Sequence, residues 1–368
     1  MLKTLLGLSL VSTVYYKKKL IEKPKVFHHP DNPDITFIKK NKLLKQPFAV
    51  TPWLINPHLQ IIYHSIKTPK TLDDLNFHLE DITMPDGAMT QLFWLNQDLP
   101  ADTPTIVLVH TITGSPYSMK SMLQELSQQT GWRVVMCLRR GHTLTPQPFS
   151  HINLMGSVPD FKFQIAHIQK RYPNSSLYAV GSSAGTALLA RYLGDVGQDT
   201  PIKAAFAYAP GYDLEIAFNR IAPFYDWYMA KKVKRVFFLP HQKDLTHRPD
   251  YQPMLKVKRL RDLQPALYQF AGFNSYQDYL AACNPIQVFA NIAIPTMVLN
   301  AEDDPICHID NAWQYLSVIE NSRYLTLVTT KHGSHCMHYQ GLKPRSWSNQ
   351  LIADYLLYCH HTYVHSTI

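Results

Sequence analysis

The sequence predicts an α/β fold in which helices cover both faces of a mostly parallel central sheet. Continuous apolar runs rich in β-branched residues, such as TIVLVHT at 105–111, are typical of parallel strands buried on both faces. Segments with helical spacing follow these runs, and the first, at 118–131, closes with a glycine. Because such strands and helices alternate, we expect a parallel sheet between two layers of helices.

The alternation continues along most of the chain. A hairpin precedes the first buried strand, because β-like runs at 76–84 and 89–96 flank a Pro-Asp-Gly turn. Further strands are predicted at 133–138, 176–182, 203–210, 294–301 and 324–330, and further helices at 160–172, 184–194 and 347–361. With 368 residues, of which 46% are hydrophobic, the chain can bury a large core.

Residues 1–26 form an N-terminal segment with an apolar run that three lysines follow at 17–19. The run is shorter than the ~20 apolar residues of a membrane span, and it lacks the small-x-small cleavage site of a signal peptide. We expect it to serve as a peripheral or short membrane anchor. A helix docked on the core, or a frayed tail, is the alternative.

Residues 27–368 should form the α/β domain. It begins with a leader at 27–75 that is rich in Pro, His and Lys, shows no clear period and is expected to run over the surface. At about 211–290 the alternation stops, and the sequence is helical in period and dense in aromatic residues. We interpret this insertion as a lid over an apolar acyl pocket, with plain packing on the core as the alternative.

Charge and cysteine content restrict the partners and the compartment. The net charge is +9, and the basic clusters at 17–19 and 231–235 have no nucleic-acid motif beside them. Most such clusters are solvated faces, and an anionic membrane surface suits them about as well as nucleic acid does. We expect no nucleic acid as a partner and keep a membrane surface as a possible one. The five cysteines form no CxxC pair, which argues against a disulfide framework and a thiolate zinc site. A cytoplasmic location, or attachment to a membrane through the N-terminal segment, follows.

The pentapeptide GSSAG at 181–185 has the context of a nucleophile. It follows a predicted buried strand and opens a predicted helix, and its glycines allow the sharp turn that exposes the Ser183 hydroxyl. A turn serine beside helix-packing glycines is the alternative. The backbone N–H of Ala184 would then donate to an oxyanion, and the second donor should come from HTITGS at 110–115, through Ile112.

A serine nucleophile needs a base and an acid that orients the base. Each should lie in a loop after a later strand, in the order serine, acid, histidine. The loop after IPTMVLN offers Glu302, Asp303 and Asp304, and the loop after YLTLVTT offers His332, His335 and His338. The three histidines recur at every third residue, but a Gly-Ser pair between them indicates a loop, and no HExxH motif supports a metal. We expect neither a metal nor a cofactor.

A series of motifs resembles the α/β-hydrolase fold, and within it the YheT-like bacterial hydrolases and their eukaryotic abhydrolase relatives, which include lipid esterases and ethyl-ester synthases. These motifs are NPHLQ (56–60), MPDG (84–87), LVHTITGS (108–115), RRGH (139–142), GSSAG, RYLG (191–194), GFNSYQDYLAACNP (272–285), IPTMVLNAEDDP (294–305) and HGSHCMH (332–338). The resemblance implies Ser183 as nucleophile, Asp304 as acid and His335 as base. It also implies hydrolysis of carboxylic esters, often with medium- or long-chain acyl groups, or transfer of the acyl group.

Five positions depart from the family pattern. Thr111 stands where a glycine precedes the oxyanion loop, and Ser334 replaces a glycine beside the base. Cys336 and Met337 replace a small apolar pair, and Leu138 stands where asparagine is usual. We expect a serine esterase or lipase-like enzyme that acts on small-molecule or lipid esters through an acyl-serine intermediate. The alternatives are an acyltransferase that uses an alcohol, and a catalytically weak binding protein, for which Thr111 is the main reason.

Overall fold

The computed structural model describes residues 21–145, 147 and 151–364. The apolar run and the lysines of the predicted anchor lie outside the described residues. Within those residues, no helix combines the length and the apolar character that crossing a bilayer requires.

Nine of the strands form one sheet. The strands are β1 (Ile21–Glu22), β2 (Lys25–His28), β3 (Phe48–Ala49), β4 (Phe77–Thr83), β5 (Met89–Leu95), β6 (Thr105–Val109), β7 (Arg133–Leu138), β8 (Leu177–Ser182), β9 (Ile202–Tyr208), β10 (Thr296–Ala301), β11 (Leu325–Thr330), β12 (Tyr339–Gln340) and β13 (Arg345–Ser346). The order in the large sheet is β2-β11-β10-β9-β8-β6-β7-β5-β4. The six strands from β11 to β7 are parallel, and the predicted mostly parallel α/β sheet is confirmed.

The strands at both edges are antiparallel. β4 and β5 form the predicted hairpin, and β5 joins β7 in antiparallel register. At the other edge β2 pairs with β11, with Val26 opposite Val328.

The N-terminal part of the domain differs from the prediction of a surface leader. β2 begins before the predicted boundary at residue 26, belongs to the central sheet, and is followed by helices at 35–40 and 57–67. A four-residue edge strand with one neighbour needs no continuous apolar run, so its sequence carries only a weak signal.

Helices cover both faces of the sheet, and the strands supply alternate residues to each layer. The helices span Ile35–Lys40, Lys42–Lys45, Pro57–Lys67, Pro116–Thr130, Val158–Arg171, Ala184–Val196, Leu214–Asn219, Pro223–Val233, Gln242–Leu245, Tyr251–Lys256, Leu260–Leu263, Tyr276–Cys283, Asp310–Gln314, Leu316–Asn321 and Trp347–Tyr363. From β6, Ile106 and Leu108 pack in the core under Trp347–Tyr363, whereas Val107 and Val109 pack on the opposite face under Val158–Arg171. Successive side chains of a strand point to opposite faces of the sheet, so every side chain of a central strand lies in one of the two apolar layers.

The chain between β9 and β10 is helical and builds a third apolar cluster above the carboxyl ends of the strands. Phe218, Phe237 and Phe238 are buried there together with Ile112 and Ala184, which belong to the loops at the top of the sheet. The insertion therefore packs directly over the place where the candidate site residues lie.

Candidate active site

Ser183 lies at the turn between β8 and the helix Ala184–Val196. Its φ of 51° and ψ of −120° place it in a strained conformation that non-glycine residues rarely adopt. The flanking glycines allow this turn, because a Cβ at Gly185 would lie 2.2 Å from the carbonyl oxygen of Val109, and one at Gly181 would lie 2.8 Å from the Cα of Thr186. The Ser183 hydroxyl is thereby raised above the sheet.

The three side chains favoured by the resemblance lie in one hydrogen-bonded series. His335 Nε2 is 2.7 Å from Ser183 Oγ, and His335 Nδ1 is 2.7 Å from Asp304 Oδ2. Asp304 follows β10 and His335 follows β11, and these neighbouring parallel strands bring both loops to the same edge as Ser183. All three residues are buried.

The surroundings of Asp304 hold its carboxylate in position. Asp304 Oδ1 accepts hydrogen bonds from the backbone N–H groups of Ile306 at 2.7 Å and Cys307 at 2.9 Å, which leaves Oδ2 for the imidazole. Burial lowers the pKa of His335, but the Asp304 carboxylate and Cys307 together raise it more, so that the pKa of His335 is raised above its ordinary value. The pair therefore favours a protonated imidazole after proton transfer.

The neighbouring acidic residues have other partners. Glu302 pairs with Lys25 of β2 at 2.8 Å on the surface. Asp303 accepts from the Ser334 N–H at 2.8 Å and lies 3.1 Å from His332 Nδ1. Asp303 and His332 thus link the loops after β10 and β11, but they are not part of the hydrogen-bonded series of Ser183, His335 and Asp304.

The third histidine is part of the core. His338 is fully buried, with Nδ1 2.9 Å from the Tyr208 hydroxyl and Nε2 2.8 Å from the Thr330 hydroxyl. The three regularly spaced histidines therefore point to three different sets of partners.

One group of possible metal ligands lies together among the described residues, namely Asp304, Cys307 and His335, whose ligand atoms are within 4.8 Å of one another. Both carboxylate oxygens of Asp304 and both ring nitrogens of His335 are already in hydrogen bonds. Burial raises the pKa of the Cys307 thiol, which disfavours the thiolate that a metal would need. These atoms therefore suit a proton-transfer series better than a metal.

The expected oxyanion donors lie beside the hydroxyl. Ala184 is the first residue of its helix, so its N–H has no acceptor within the helix. Ile112 and Ala184 line the same apolar crevice as Ser183, which has a volume of about 40 Å³. Its other walls come mainly from the insertion, through Leu214, Ala217, Phe218, Ile221 and Met229.

Two residues of the RRGH motif hold the loop that carries Ile112. Arg139 donates to the carbonyl oxygen of His110 at 3.0 Å and to that of Thr111 at 2.8 Å. His142 Nε2 is 2.9 Å from the carbonyl oxygen of Ile112, so three consecutive carbonyl groups are bound. The sequence marks RRGH as a family motif but contains no signal for this role, because the contacts join the loops after β6 and β7, which are distant in the sequence.

Two of the departures from the family pattern, Thr111 and Ser334, have local explanations. Thr111 does not have a positive φ, so a side chain fits at this position without left-handed strain. Ser334 does have a positive φ, 53°, where glycine is favoured. Its N–H binds Asp303, and its hydroxyl donates to the carbonyl oxygen of Pro57 at 2.8 Å, which anchors the loop of His335.

The comparisons with known proteins agree with this architecture. A family model described as alpha/beta hydrolase fold matches residues 104–341. Phospholipase ABHD3 of Bos taurus is 25% identical over 357 residues, which cover 93% of this chain and 85% of that protein. The YheT protein of Escherichia coli (strain K12) is 27% identical over 294 residues, which cover 75% of this chain and 83% of that protein.

Among solved structures, an esterase of Pyrococcus furiosus has the same fold, with a TM-score of 0.50 and 16% identity. The match covers 79% of this chain and 94% of that chain. The family model covers more than half of the 368 residues, and it includes Ser183, Asp304 and His335. YheT and ABHD3 are among the proteins to which the chain is similar, and the chain belongs to the alpha/beta hydrolase family.

Proposed function

We propose that this protein is a serine hydrolase that cleaves carboxylic esters through an acyl-serine intermediate. The hydrogen-bonded series of Ser183, His335 and Asp304 carries the proposal, because it joins a nucleophile, a base and an orienting acid within 2.7 Å contacts. The alpha/beta hydrolase family and the phospholipase and esterase names among its relatives support the same reaction class.

In the first half of the reaction, neutral His335 takes the proton of the Ser183 hydroxyl as the oxygen attacks the ester carbonyl. The N–H groups of Ala184 and Ile112 stabilise the resulting oxyanion, and the protonated His335 gives its proton to the leaving alcohol. Asp304 stabilises the imidazolium. In the second half, His335 takes a proton from water, the water attacks the acyl group, and Ser183 recovers its proton.

The substrate class follows from the walls of the crevice. Leu214, Phe218 and Met229 offer an apolar surface beside Ser183, which suits an acyl chain better than a charged group. We infer medium- or long-chain acyl esters, either small molecules or lipids, and we assign to the insertion at 211–290 the role of a lid that opens to admit them. The N-terminal segment would hold the enzyme at a membrane where such esters occur.

A fluorophosphonate probe that labels active serines tests the nucleophile. The wild-type protein should be labelled, Ser183→Ala should not, and Ser182→Ala should keep its labelling, because the Ser182 hydroxyl faces Met122 in the core. An unlabelled wild-type protein would instead indicate a binding protein without turnover. Equal loss in both variants with the fold intact would refute the assignment to Ser183.

Product analysis then separates hydrolysis from acyl transfer. With an octanoyl ester as substrate, the free acid should remain the main product when ethanol is added. A predominantly new ester would assign the protein to the acyltransferases. Faster turnover of acetyl than of octanoyl esters would contradict the proposed acyl pocket.

A further inference from the structure

The helix Pro57–Lys67 exposes an apolar face that no part of the described chain covers. Leu59, Ile62 and Ile66 are exposed by 46%, 52% and 75%, and their spacing of three and four residues places them on one side of the helix. Isolated exposed leucines are common on proteins, but a continuous apolar face marks an interaction site.

The helix Pro223–Val233 of the insertion repeats this arrangement with aromatic residues. Phe224 is exposed by 63%, and Trp227 and Tyr228 are also exposed, whereas Tyr225 on the opposite side is buried. Phe224 lies 6.1 Å from the parallel ring of Tyr228, so these side chains form one aromatic surface.

The two helices lie beside each other at the active site. His58 Nδ1 is 2.8 Å from the Tyr225 hydroxyl, and the two rings stack with their centres 5.6 Å apart. The first helix also contacts the catalytic loop, because the Ser334 hydroxyl donates to the carbonyl oxygen of Pro57. The second helix supplies Met229 to the crevice of Ser183. The exposed apolar faces therefore adjoin the crevice.

Trp53 and Leu342 extend the surface beyond the first helix. Trp53 lies 5.2 Å from the ring of Tyr63, and its indole N–H donates to the carbonyl oxygen of Leu342, whose side chain is 80% exposed. Shortly before Trp53, Ala49 of β3 pairs with Ile21 of β1.

Basic side chains accompany the aromatic rings. Lys231 Nζ lies 5.6 Å from the centre of the Trp227 ring, and Lys67 Nζ lies 5.9 Å from that of Tyr63. Arg235 is exposed one turn beyond Lys231, on the same side of the chain. Tryptophan, tyrosine and lysine together are typical of surfaces that lie in the interface of a bilayer.

We propose that these residues form a membrane-docking face for anionic phospholipid bilayers. The docking face consists of Trp53, Leu59, Ile62, Ile66, Phe224 and Trp227, with Lys67 and Lys231 at lipid headgroups. Docking places the crevice of Ser183 at the lipid surface, so that an ester can enter from the bilayer. The proposal concerns binding, so its test is independent of the proposed hydrolysis.

Sedimentation of the full chain with vesicles measures the contribution of the face. Vesicles of phosphatidylcholine with phosphatidylglycerol should bind the protein more tightly than phosphatidylcholine alone. The double variant Ile66→Glu with Trp227→Glu should bind the anionic vesicles at least about tenfold more weakly. Phe163→Glu, which changes a partly exposed aromatic residue on the helix Val158–Arg171, is the matched control and should bind like the wild type.

Quenching of tryptophan fluorescence by brominated phospholipids separates this face from the N-terminal segment. Trp53 and Trp227 are the two large exposed tryptophans of the described chain. Wild-type fluorescence should be quenched, and quenching should fall several-fold in the double variant Trp53→Phe with Trp227→Phe. Binding without such a difference would overturn the proposal, because another part of the chain would then contact the bilayer. Absence of vesicle binding, with self-association that Ile66→Glu abolishes, would assign the face to a protein contact instead.

Discussion

Arg139 Nη2 donates a hydrogen bond of 2.8 Å to the carbonyl oxygen of Thr111, directly before the expected oxyanion donor Ile112. Burial lowers the pKa of Arg139 to about 9, so the guanidinium stays charged near neutral pH. A buried cation therefore holds the backbone next to the N–H that we propose as an oxyanion donor.

Replacement of this cation should slow the chemical step. We expect Arg139→Gln to lower kcat by about 10- to 100-fold with little change in KM, because a displaced donor stabilises the transition state less than before. Arg139→Lys should be intermediate, since an ammonium group does not reproduce the planar fork. Steady-state kinetics on an octanoyl ester measures both constants.

Arg140→Gln is the matched control for this prediction. Arg140 binds Asp86 and Asp160 and makes no hydrogen bond to the oxyanion loop. Its loss should leave kcat within about twofold of the wild type, because the largely buried Arg140–Asp160 pair contributes to stability without contacting the oxyanion loop. An equal decrease in both variants would show that Arg139 acts through general stability rather than through the loop.

His335 and His332 should differ sharply in their effect on turnover. His335→Ala removes the group in contact with Ser183, and we expect kcat to fall by about a thousandfold or more. His332→Ala removes only a contact to Asp303, so a decrease of less than about tenfold is expected. A larger loss from His332→Ala, in a protein whose circular dichroism is unchanged, would mean that the base is assigned to the wrong histidine.

The pH dependence should reflect the charge of Asp304. Only neutral His335 can accept the serine proton, so kcat/KM should fall as the pH drops through the pKa of His335. Because Asp304 raises this pKa, the acid limb should lie above the ordinary histidine value of about 6.5. In Asp304→Asn the negative charge that raises the pKa of His335 is lost, while burial still lowers this pKa. The acid limb of the pH profile of the residual activity should therefore move to lower pH. An acid limb at the same pH in both proteins would show that the titration of His335 does not cause the limb.

Ser334 offers a test of strain in the loop of the base. Ser334→Ala keeps the positive φ and loses the hydrogen bond to Pro57, which should lower the free energy of unfolding by about 1 kcal/mol. Ser334→Gly loses the same bond but relieves the left-handed strain, so it should be more stable than Ser334→Ala by about 1 kcal/mol. Urea denaturation measures both differences. A glycine variant less stable than the alanine variant would contradict the strain argument.

The sequence alone determined the α/β architecture and most of the sheet. Strands such as β6, β7 and β8 are buried on both faces, and this burial requires continuous apolar runs that are visible without a structure. The strand–GSSAG–helix pattern likewise indicated the position of Ser183, since the turn depends on glycines that are adjacent in the sequence. The choice of Asp304 and His335 among their neighbours needed the resemblance to known hydrolases, because three carboxylates and three histidines lie in equivalent loops.

Only the tertiary structure decided how distant segments meet. The pairing of β2 with β11, the hold of Arg139 on the oxyanion loop and the contact of His58 with Tyr225 all join parts of the chain that are far apart in sequence. Each depends on hydrogen bonds or packing between residues whose neighbouring sequence shows no periodic pattern. Local sequence patterns indicate which face of a strand or helix is buried. These contacts depend instead on which distant segments lie against that face in the folded chain.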